Sequence, residues 1–157
     1  MKRDDIILEA LTRHAVPFVV IGGMAVIEHG YVRVTEDTDI VFRRGDATDA
    51  SLLAALRELK ACWISAEKDP ATGVEKLVPV SAAHVAGHHL MMLHTDVGFL
   101  DLFDYIPGFP EEPVDLLFAD AVMRHGVRFA SLHWLRRMKE KAGRPKDLDD
   151  LANLEPS

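Results

Sequence analysis

The sequence predicts an α/β fold, a mixed sheet of about four or five strands flanked by helices, with further helices at the C-terminal end. Two observations predict it. Short apolar runs rich in β-branched and aromatic residues, such as Phe18-Val19-Val20-Ile21, alternate with segments whose apolar residues recur at helical spacing, such as 52–59. In addition, Thr95-Asp96-Val97-Gly98 separates two apolar runs and has the chemistry of a hairpin turn. The sheet is therefore expected to include an antiparallel pair.

The first predicted strand ends in a feature suited to phosphate. The run 18–21 stops at Gly22-Gly23, and helix-forming residues resume from Met24 to His29, with Gly30 as the expected stop. A strand that turns through two glycines into a helix leaves backbone N–H groups free at the positive end of the helix, with no side chains blocking approach. Gly22 and Gly23 are therefore candidate phosphate-binding residues.

The next apolar run carries two acids. Strand geometry over 35–42 points Asp37 and Asp39 to the same face. Adjacent carboxylates repel each other, and a cation or a shared proton offsets that repulsion. A hard metal ion such as Mg²⁺, with phosphate oxygens as further ligands, fits this pair. The alternative interpretation is that both acids lie on the solvated face of an edge strand.

The order of these elements resembles a known family. An apolar strand, Gly22-Gly23, a helix and then Arg33-x-Thr35-x-Asp37-x-Asp39 before apolar residues is similar to the motif of the nucleotidyltransferase superfamily of DNA polymerase beta. The resemblance is to its small bacterial members, described as abortive-infection or toxin–antitoxin nucleotidyltransferases. Residues 135–148 also resemble these proteins, which carry a similar lysine before a GRPKD-like turn. The middle of the chain, roughly 66–87, carries no such resemblance.

A third acid lies in a later apolar strand. Asp101, within 99–103, is expected on a strand that returns antiparallel to one at about 90–94. A buried isolated carboxylate is unfavourable, so a metal, a cation or a cleft is expected beside it, the alternative being an edge position that faces water. The resemblance implies that Asp101 completes a metal-binding triad. Asp104, on the opposite face at the end of the strand, is expected to be solvated.

The C-terminal third is predicted from spacing and caps. Helical spacing over 114–123 is followed by a short strand over 126–130. Ser131 is expected to cap a helix that stops at Gly143, and Asp147 to cap a last short helix. We therefore expect residues 1–157 to form one domain, with a C-terminal helical part over about 131–155.

Charge and composition limit the function. The chain has 157 residues, 48% of them hydrophobic and 27% charged, and no apolar run of membrane-spanning length. Its start, Met1 to Asp5, has no signal-peptide core after it, so we expect a cytoplasmic protein without a membrane partner. The net charge of −7 argues against a broad non-specific grip on nucleic acid. Basic residues nevertheless cluster near the C-terminal end: Arg136, Arg137, Lys139, Lys141, Arg144 and Lys146.

The resemblance implies a metal-dependent nucleotidyltransferase that transfers a nucleoside monophosphate from an NTP to a hydroxyl group. The acceptor stays open between an RNA end, a protein side chain and a small molecule, and a toxin–antitoxin partner protein is a further expected partner. The alternatives are a non-catalytic nucleotide- or partner-binding module of the same fold and a two-metal phosphoesterase. We expect three acids to bind Mg²⁺ or Mn²⁺ and to be catalytic: Asp37, Asp39 and Asp101. Expected to contact the nucleotide or its phosphates are Gly22, Gly23, Arg33, Thr35, Lys139, Arg144 and Lys146; Arg33 has a structural ion pair as its alternative role.

Four histidines crowd one stretch of the chain. His84 and His88 have the i,i+4 spacing of a helical metal pair, but no HExxH pattern accompanies them. Ordinary surface or strand histidines are the preferred interpretation, with proton transfer by one that faces the cleft as the alternative. The remaining members of the group are His89 and His94.

Overall fold

The structure of the protein is a computed structural model that describes residues 3–154, and seven helices and eight strands lie in that range. The helices are α1 (Arg3–Arg13), α2 (Gly22–Glu28), α3 (Asp46–Glu58), α4 (Ala82–Gly87), α5 (Val114–Ala119), α6 (Leu132–Ala142) and α7 (Pro145–Asn153). The strands are β1 (Phe18–Ile21), β2 (Asp37–Phe42), β3 (Cys62–Lys68), β4 (Glu75–Pro79), β5 (Leu90–Thr95), β6 (Gly98–Phe103), β7 (Val122–Arg124) and β8 (Val127–Phe129).

All eight strands form one mixed sheet in the order β4-β3-β5-β6-β2-β1-β8-β7. The β2–β6 and β1–β8 neighbours are parallel and the others antiparallel. The mixed sheet with flanking helices and the antiparallel hairpin at Thr95–Gly98 are confirmed, whereas the prediction of four or five strands is wrong. Two hairpins, β3–β4 and β7–β8, account for most of the difference.

The β7–β8 hairpin replaces part of a predicted helix. The helix expected over 114–123 ends at Ala119, and the next residues form β7. His125 and Gly126 have φ of 52° and 77°, which reverses the chain between the two strands. Pairing with β8 across this turn thus makes residues 122–124 a strand, although the apolar spacing of the segment alone favours a helix.

Much of the core lies on one face of the sheet, although Val19, Ile21 and Val41 on the other face are buried as well. Because strand side chains alternate, Ile40 of β2, Leu100 and Leu102 of β6, and Met91 and Leu93 of β5 all point to the first face and are buried. They join the buried side chains of α1 and α3 in a single cluster. The opposite face of the same strands carries the three candidate acids.

The C-terminal helices begin and end largely as the caps predict. The Ser131 hydroxyl accepts a hydrogen bond from the Trp134 N–H at 3.3 Å, and Gly143, with φ of 61°, ends α6. The predicted cap at Asp147 is wrong, because α7 already begins at Pro145. Asp147 is the third residue of the helix, and its carboxylate accepts a hydrogen bond from the Arg144 N–H at 3.2 Å. Pro145 fits the first turn because that turn needs no N–H donor.

None of the helices within residues 3–154 combines the length and the apolar character needed to cross a bilayer.

Candidate active site

Two acids meet where β2 and β6 run side by side. The parallel register pairs Asp39 with Asp101 and Asp37 with Phe99. Directly opposed residues on neighbouring strands point to the same face, so the carboxyl groups of Asp39 and Asp101 lie together and form a hydrogen bond. Asp37 lies two residues earlier on the same face of β2. The sheet register alone therefore brings three carboxyl groups to one place.

This arrangement changes the ionisation of the paired acids. Burial, together with the negative charge of Asp39 and the hydrogen bond between the two groups, raises the pKa of Asp101 to about 7. Burial also raises the pKa of Asp39, and the negative charge of Asp37 adds to the rise. The positive charge of Lys146 acts in the opposite direction on both acids. Near neutral pH the pair thus holds a proton or needs a cation.

The two glycines permit the close approach of these side chains. Gly22 has φ of 65°, and a Cβ atom at this position would collide with Asp39 Oδ2. A Cβ atom on Gly23 would lie 2.7 Å from Arg33 Nη2 and 2.8 Å from Thr35 Oγ1. Helix α2 begins at Gly22, two residues before its predicted start, so both glycines belong to its first turn. The pair is required by packing as well as by the turn.

A cavity of about 380 Å³ lies over this pair of strands. Every residue that the sequence analysis names as a site residue lines it. They are Gly22, Gly23, Arg33, Thr35, Asp37, Asp39, Asp101, Lys139, Arg144 and Lys146. The placement is a property of the structure, whereas the roles of these residues in binding and catalysis stay predictions.

A buried ionic cluster holds most of the cations in this cavity. Lys139 Nζ lies 3.1 Å from Asp147 Oδ1 and 2.9 Å from Asp150 Oδ2, and all three residues are buried. Arg144 Nε lies 2.6 Å from Asp147 Oδ2, and Arg33 Nε lies 2.9 Å from Asp150 Oδ1. Burial opposes ionisation of Asp147, yet its hydrogen bonds to Arg144 and Lys139 lower its pKa. Arg33 thus makes the structural ion pair that was its alternative role.

Lys146 differs from the other cations. It lines the cavity, and among the residues that the structure describes no carboxylate forms an ion pair with it. Its charge reaches both Asp39 and Asp101. An ammonium group without a protein partner is available to an anionic ligand.

Asp104 does not compete with Asp101 for this site. Its carboxylate Oδ2 lies 2.8 Å from Arg44 Nε and 2.8 Å from His89 Nδ1, and the side chain is only 9% exposed. The expectation of a solvated carboxylate is therefore wrong, because Arg44 turns back over the strand end and covers it. Asp104 is absent from the cavity lining.

The sequence analysis missed two residues of the cavity region. Asp150 anchors Arg33 and Lys139, and its spacing from Asp147 places both acids on one face of α7. Met92 lies opposite Asp101 on β5 and lines the cavity. The i,i+3 spacing of the two acids could have indicated Asp150 from the sequence, whereas only the strand register identifies Met92.

A larger cavity of about 710 Å³ lies between α1, α2 and the β7–β8 hairpin. It shares Arg33 and Thr35 with the acid-lined cavity but contains none of Asp37, Asp39 and Asp101. The larger cavity is favoured as the active site by its volume alone, whereas the smaller one is favoured by its ionisable groups. We assign the candidate active site to the smaller cavity, since perturbed carboxyl groups in a cleft indicate function more directly than size.

The donor set suits a hard divalent cation. Within the described residues no group of three His, Cys, Asp or Glu side chains is arranged as a complete metal site. Mg²⁺ commonly takes only one or two protein carboxylates and completes its shell with water and substrate phosphates, which matches the contacting pair of Asp39 and Asp101. The clustered histidines lie outside this cavity: the rings of His84 and His88 stack with centroids 4.1 Å apart, and His89 contacts Asp104.

Comparisons with known proteins found similar solved structures. No family model matches the chain, and no curated protein matches it. The crystal structure of JHP933 from Helicobacter pylori is 15% identical, has a TM-score of 0.39 and covers 87% of this chain and 51% of that one. A protein from H. pylori that is provisionally named a nucleotidyltransferase is 14% identical, has a TM-score of 0.40 and covers 87% of this chain and 55% of that one. The chain thus spans about half the length of both.

Proposed function

We propose that this protein is a metal-dependent nucleotidyltransferase that transfers a nucleoside monophosphate from an NTP to a hydroxyl group. The observation that carries the proposal is the contact between Asp39 and Asp101, with Asp37 on the same face and Lys146 across the cavity. The predicted acceptors are an RNA end, a protein side chain and a small molecule, and a toxin–antitoxin protein is a further predicted partner.

The electrostatic repulsion between these two acids supports a ligand-binding role. Two carboxyl groups that are partly buried and hydrogen-bonded to each other are unfavourable when both are ionised. The fold places no basic side chain between them, although it pairs Lys139, Arg144 and Arg33 with other acids nearby. A site of this kind is explained if a cationic ligand relieves the repulsion.

Mg²⁺ or Mn²⁺ would be held by Asp37 and Asp39, and it supplies positive charge that offsets the acids and the triphosphate. Asp101 would either hold a second ion or accept the proton of the attacking hydroxyl group. Lys146 would donate hydrogen bonds to phosphate oxygens. Gly22 and Gly23, which line the same cavity and have no side chains of their own, would let phosphate approach the backbone beside Asp39.

The other cations in the cavity have supporting roles in this proposal. Lys139 and Arg144 are held by Asp147, and Arg33 is held by Asp150. They add positive electrostatic potential to the cavity, but their ion pairs keep them from moving with a ligand. Thr35 is uncharged, and its hydroxyl donates a hydrogen bond to the Asp37 carbonyl oxygen at 3.3 Å. It therefore fixes the loop that enters β2.

Binding and product analysis test the proposal together. Calorimetry with each of the four NTPs should show binding that is weak in EDTA and recovers with Mg²⁺ or Mn²⁺, because without a cation the acids repel the triphosphate. With α-labelled NTP, total cell RNA and total cell protein, label should appear in a macromolecule as pyrophosphate is released. Equal NTP affinity with and without metal would contradict the proposal. Release of free nucleoside monophosphate alone would identify a hydrolase.

A further inference from the structure

We infer that the group that receives the nucleotide lies on a polypeptide, and that this polypeptide docks in extended form on an exposed apolar face of the sheet beside Asp101. The inference rests on the proposed function and deepens it by naming the acceptor class. We call this surface the acceptor face and define it by Ile64, Leu77, Leu90, Met92 and Phe99.

The strand register places the acceptor face in line with the acids. Asp39 lies opposite Asp101 in the parallel pair, and Asp101 lies opposite Met92 in the antiparallel pair. On the other side of β5, Trp63 pairs with Leu93, so the next residue, Ile64, comes beside Met92. Ile64 in turn pairs with Leu77 of β4. One row of side chains thus runs from Asp39 to Leu77 on the same face of the sheet.

This row is apolar and open to solvent. The exposed fractions are 66% for Met92, 50% for Ile64 and 51% for Leu77, and the neighbouring Phe99 and Leu90 are 45% and 36% exposed. On β5 and β6, the adjacent residues that point to the other face, Met91, Leu93 and Leu100, are buried almost completely. Exposed apolar side chains that lie singly need no explanation, whereas a contiguous patch marks an interaction surface.

The acceptor face continues directly from the candidate active site. Met92 both lines the acid cavity and belongs to the face. Three strand spacings separate Asp101 from Leu77, which is about 14 Å, the length of about four residues of extended chain. A segment that lies on the face can therefore reach the acids with one side chain while its neighbours contact Met92, Ile64 and Leu77. β4 ends the sheet among the described strands, so the far end of the row is open.

The chemistry of the face favours a polypeptide over nucleic acid. Binding of RNA depends on lysine and arginine contacts to phosphate and on aromatic rings that stack on bases. The five residues of the acceptor face include no lysine or arginine and one aromatic ring, Phe99, which is in edge contact with the exposed His94, and the whole chain has a net charge of −7. Small molecules are bound in concave pockets that enclose most of their surface, unlike an open row of side chains. Alternating apolar side chains of an extended polypeptide match this surface.

The transfer step then uses a serine, threonine or tyrosine hydroxyl group. Its oxygen forms a bond to the α-phosphorus of the NTP, and the bond from that phosphorus to the oxygen bridging to the β-phosphorus breaks. Pyrophosphate leaves with the bridging oxygen and its electron pair. The hydroxyl proton passes to solvent by way of the Asp101 carboxyl group. The products are a phosphodiester on the polypeptide and pyrophosphate.

The test uses ten-residue synthetic peptides with apolar residues at alternate positions and one Ser, Thr or Tyr, alongside RNA oligonucleotides with free 3′ hydroxyl groups. With α-labelled NTP and Mg²⁺, the peptides should acquire label. Ile64→Lys and Leu77→Lys should each lower kcat/KM for peptide labelling by about tenfold, since each puts a charge where an apolar contact of about 1.5 kcal/mol is lost. The Kd of Mg²⁺-NTP should stay within about twofold of wild type, since neither residue lines the acid cavity.

Met123→Lys is the matched control. Met123 is 54% exposed on β7, at the opposite edge of the sheet, and this variant should label peptides like the wild type. Methyl NMR of the wild type gives a second measurement that needs no variant: adding peptide should shift the signals of Ile64, Leu77 and Met92 and leave that of Met123 unchanged.

Three results would overturn the inference. They are label on RNA but not on peptides, lysine variants as active toward peptides as the wild type, and no labelled peptide although Mg²⁺-NTP binds. If no NTP binds in calorimetry, the proposed function fails first, and that outcome is separate because it is measured without any acceptor.

Discussion

The two walls of the acid cavity treat charge in opposite ways. On the α6–α7 wall, Lys139 and Arg144 each contact a carboxylate, and the Lys139–Asp147 pair is buried. On the sheet wall, Asp39 contacts Asp101, and within the described residues neither acid forms an ion pair. The basic wall joins residues close in sequence, since Arg144 and Lys139 contact Asp147 from three and eight residues away, whereas the acid wall joins two strands that are distant in the chain.

The difference shows which wall has its charges balanced in the free protein. A buried ion pair whose members satisfy each other contributes to the structure of the free protein. Two contacting acids with raised pKa values are a liability in the free protein, and a cation would remove it. We therefore expect substitutions in the basic wall to act mainly on stability and substitutions in the acid wall to act mainly on ligand binding and turnover.

Lys139→Met should have the largest effect on stability. It removes the ammonium group that contacts both Asp147 and Asp150, and leaves these buried carboxylates with Arg144 and Arg33 only. Breaking a buried pair in this way costs about 3 kcal/mol, measured as the free energy of unfolding in urea. Lys141→Met, at an exposed position of the same helix, is the control. A loss below about 1 kcal/mol would show that the cluster is not structural.

Asp39→Asn should have the opposite profile. It keeps the shape of the side chain but removes a charge and a strong metal ligand, so the transfer rate should fall by roughly a hundredfold or more. The variant should be at least as stable as the wild type in EDTA, because the repulsion with Asp101 is gone. Single-turnover assays and urea melts on the same preparation check both parts. Wild-type turnover by Asp39→Asn would exclude the acid wall from catalysis.

The two walls also differ in how much of them could be predicted from the sequence. Period-two alternation is local, and it correctly placed Asp37 and Asp39 on one face. Asp150 was missed because its partner Arg33 is 117 residues away, and no periodicity reports such a contact. Strands β4 and β7 were missed because β4 is largely exposed and does not alternate between polar and apolar residues, and β7 has three residues that extend a helical apolar spacing. Tertiary pairing decided these segments.

Lys146→Ala tests the role of the cavity lysine that forms no ion pair among the described residues. NTP affinity should fall by about tenfold, the value of one charge-assisted hydrogen bond of about 1.5 kcal/mol. The free energy of unfolding should change by less than about 0.5 kcal/mol, since no carboxylate pairs with this lysine among the described residues. Calorimetry with Mg²⁺-NTP measures the first quantity and urea melts the second. Unchanged affinity would remove Lys146 from the proposed site.

A further prediction concerns pH in metal-free buffer. The pKa of Asp101 rises from 3.8 to about 7 on folding, so the folded protein binds more protons than the unfolded chain between these values. The free energy of unfolding should therefore fall as pH rises from about 4 to about 7, and this stabilisation is fully present only below the unfolded pKa. Asp101→Asn should flatten the profile over that range. An identical slope in wild type and variant would contradict the assigned cause.

The parallel pairing of β2 with β6 has a kinetic consequence. The β5–β6 hairpin is closed by a short turn and can form locally, whereas β2 must find β6 across about sixty intervening residues. That encounter brings Asp39 and Asp101 together, so above pH 7 in metal-free buffer the charges resist it. Refolding should consequently be slower at pH 8 than at pH 5 in stopped-flow experiments, and Asp39→Asn should remove the difference. Equal rates for the wild type at both pH values would mean that this pairing forms only after the rate-limiting step.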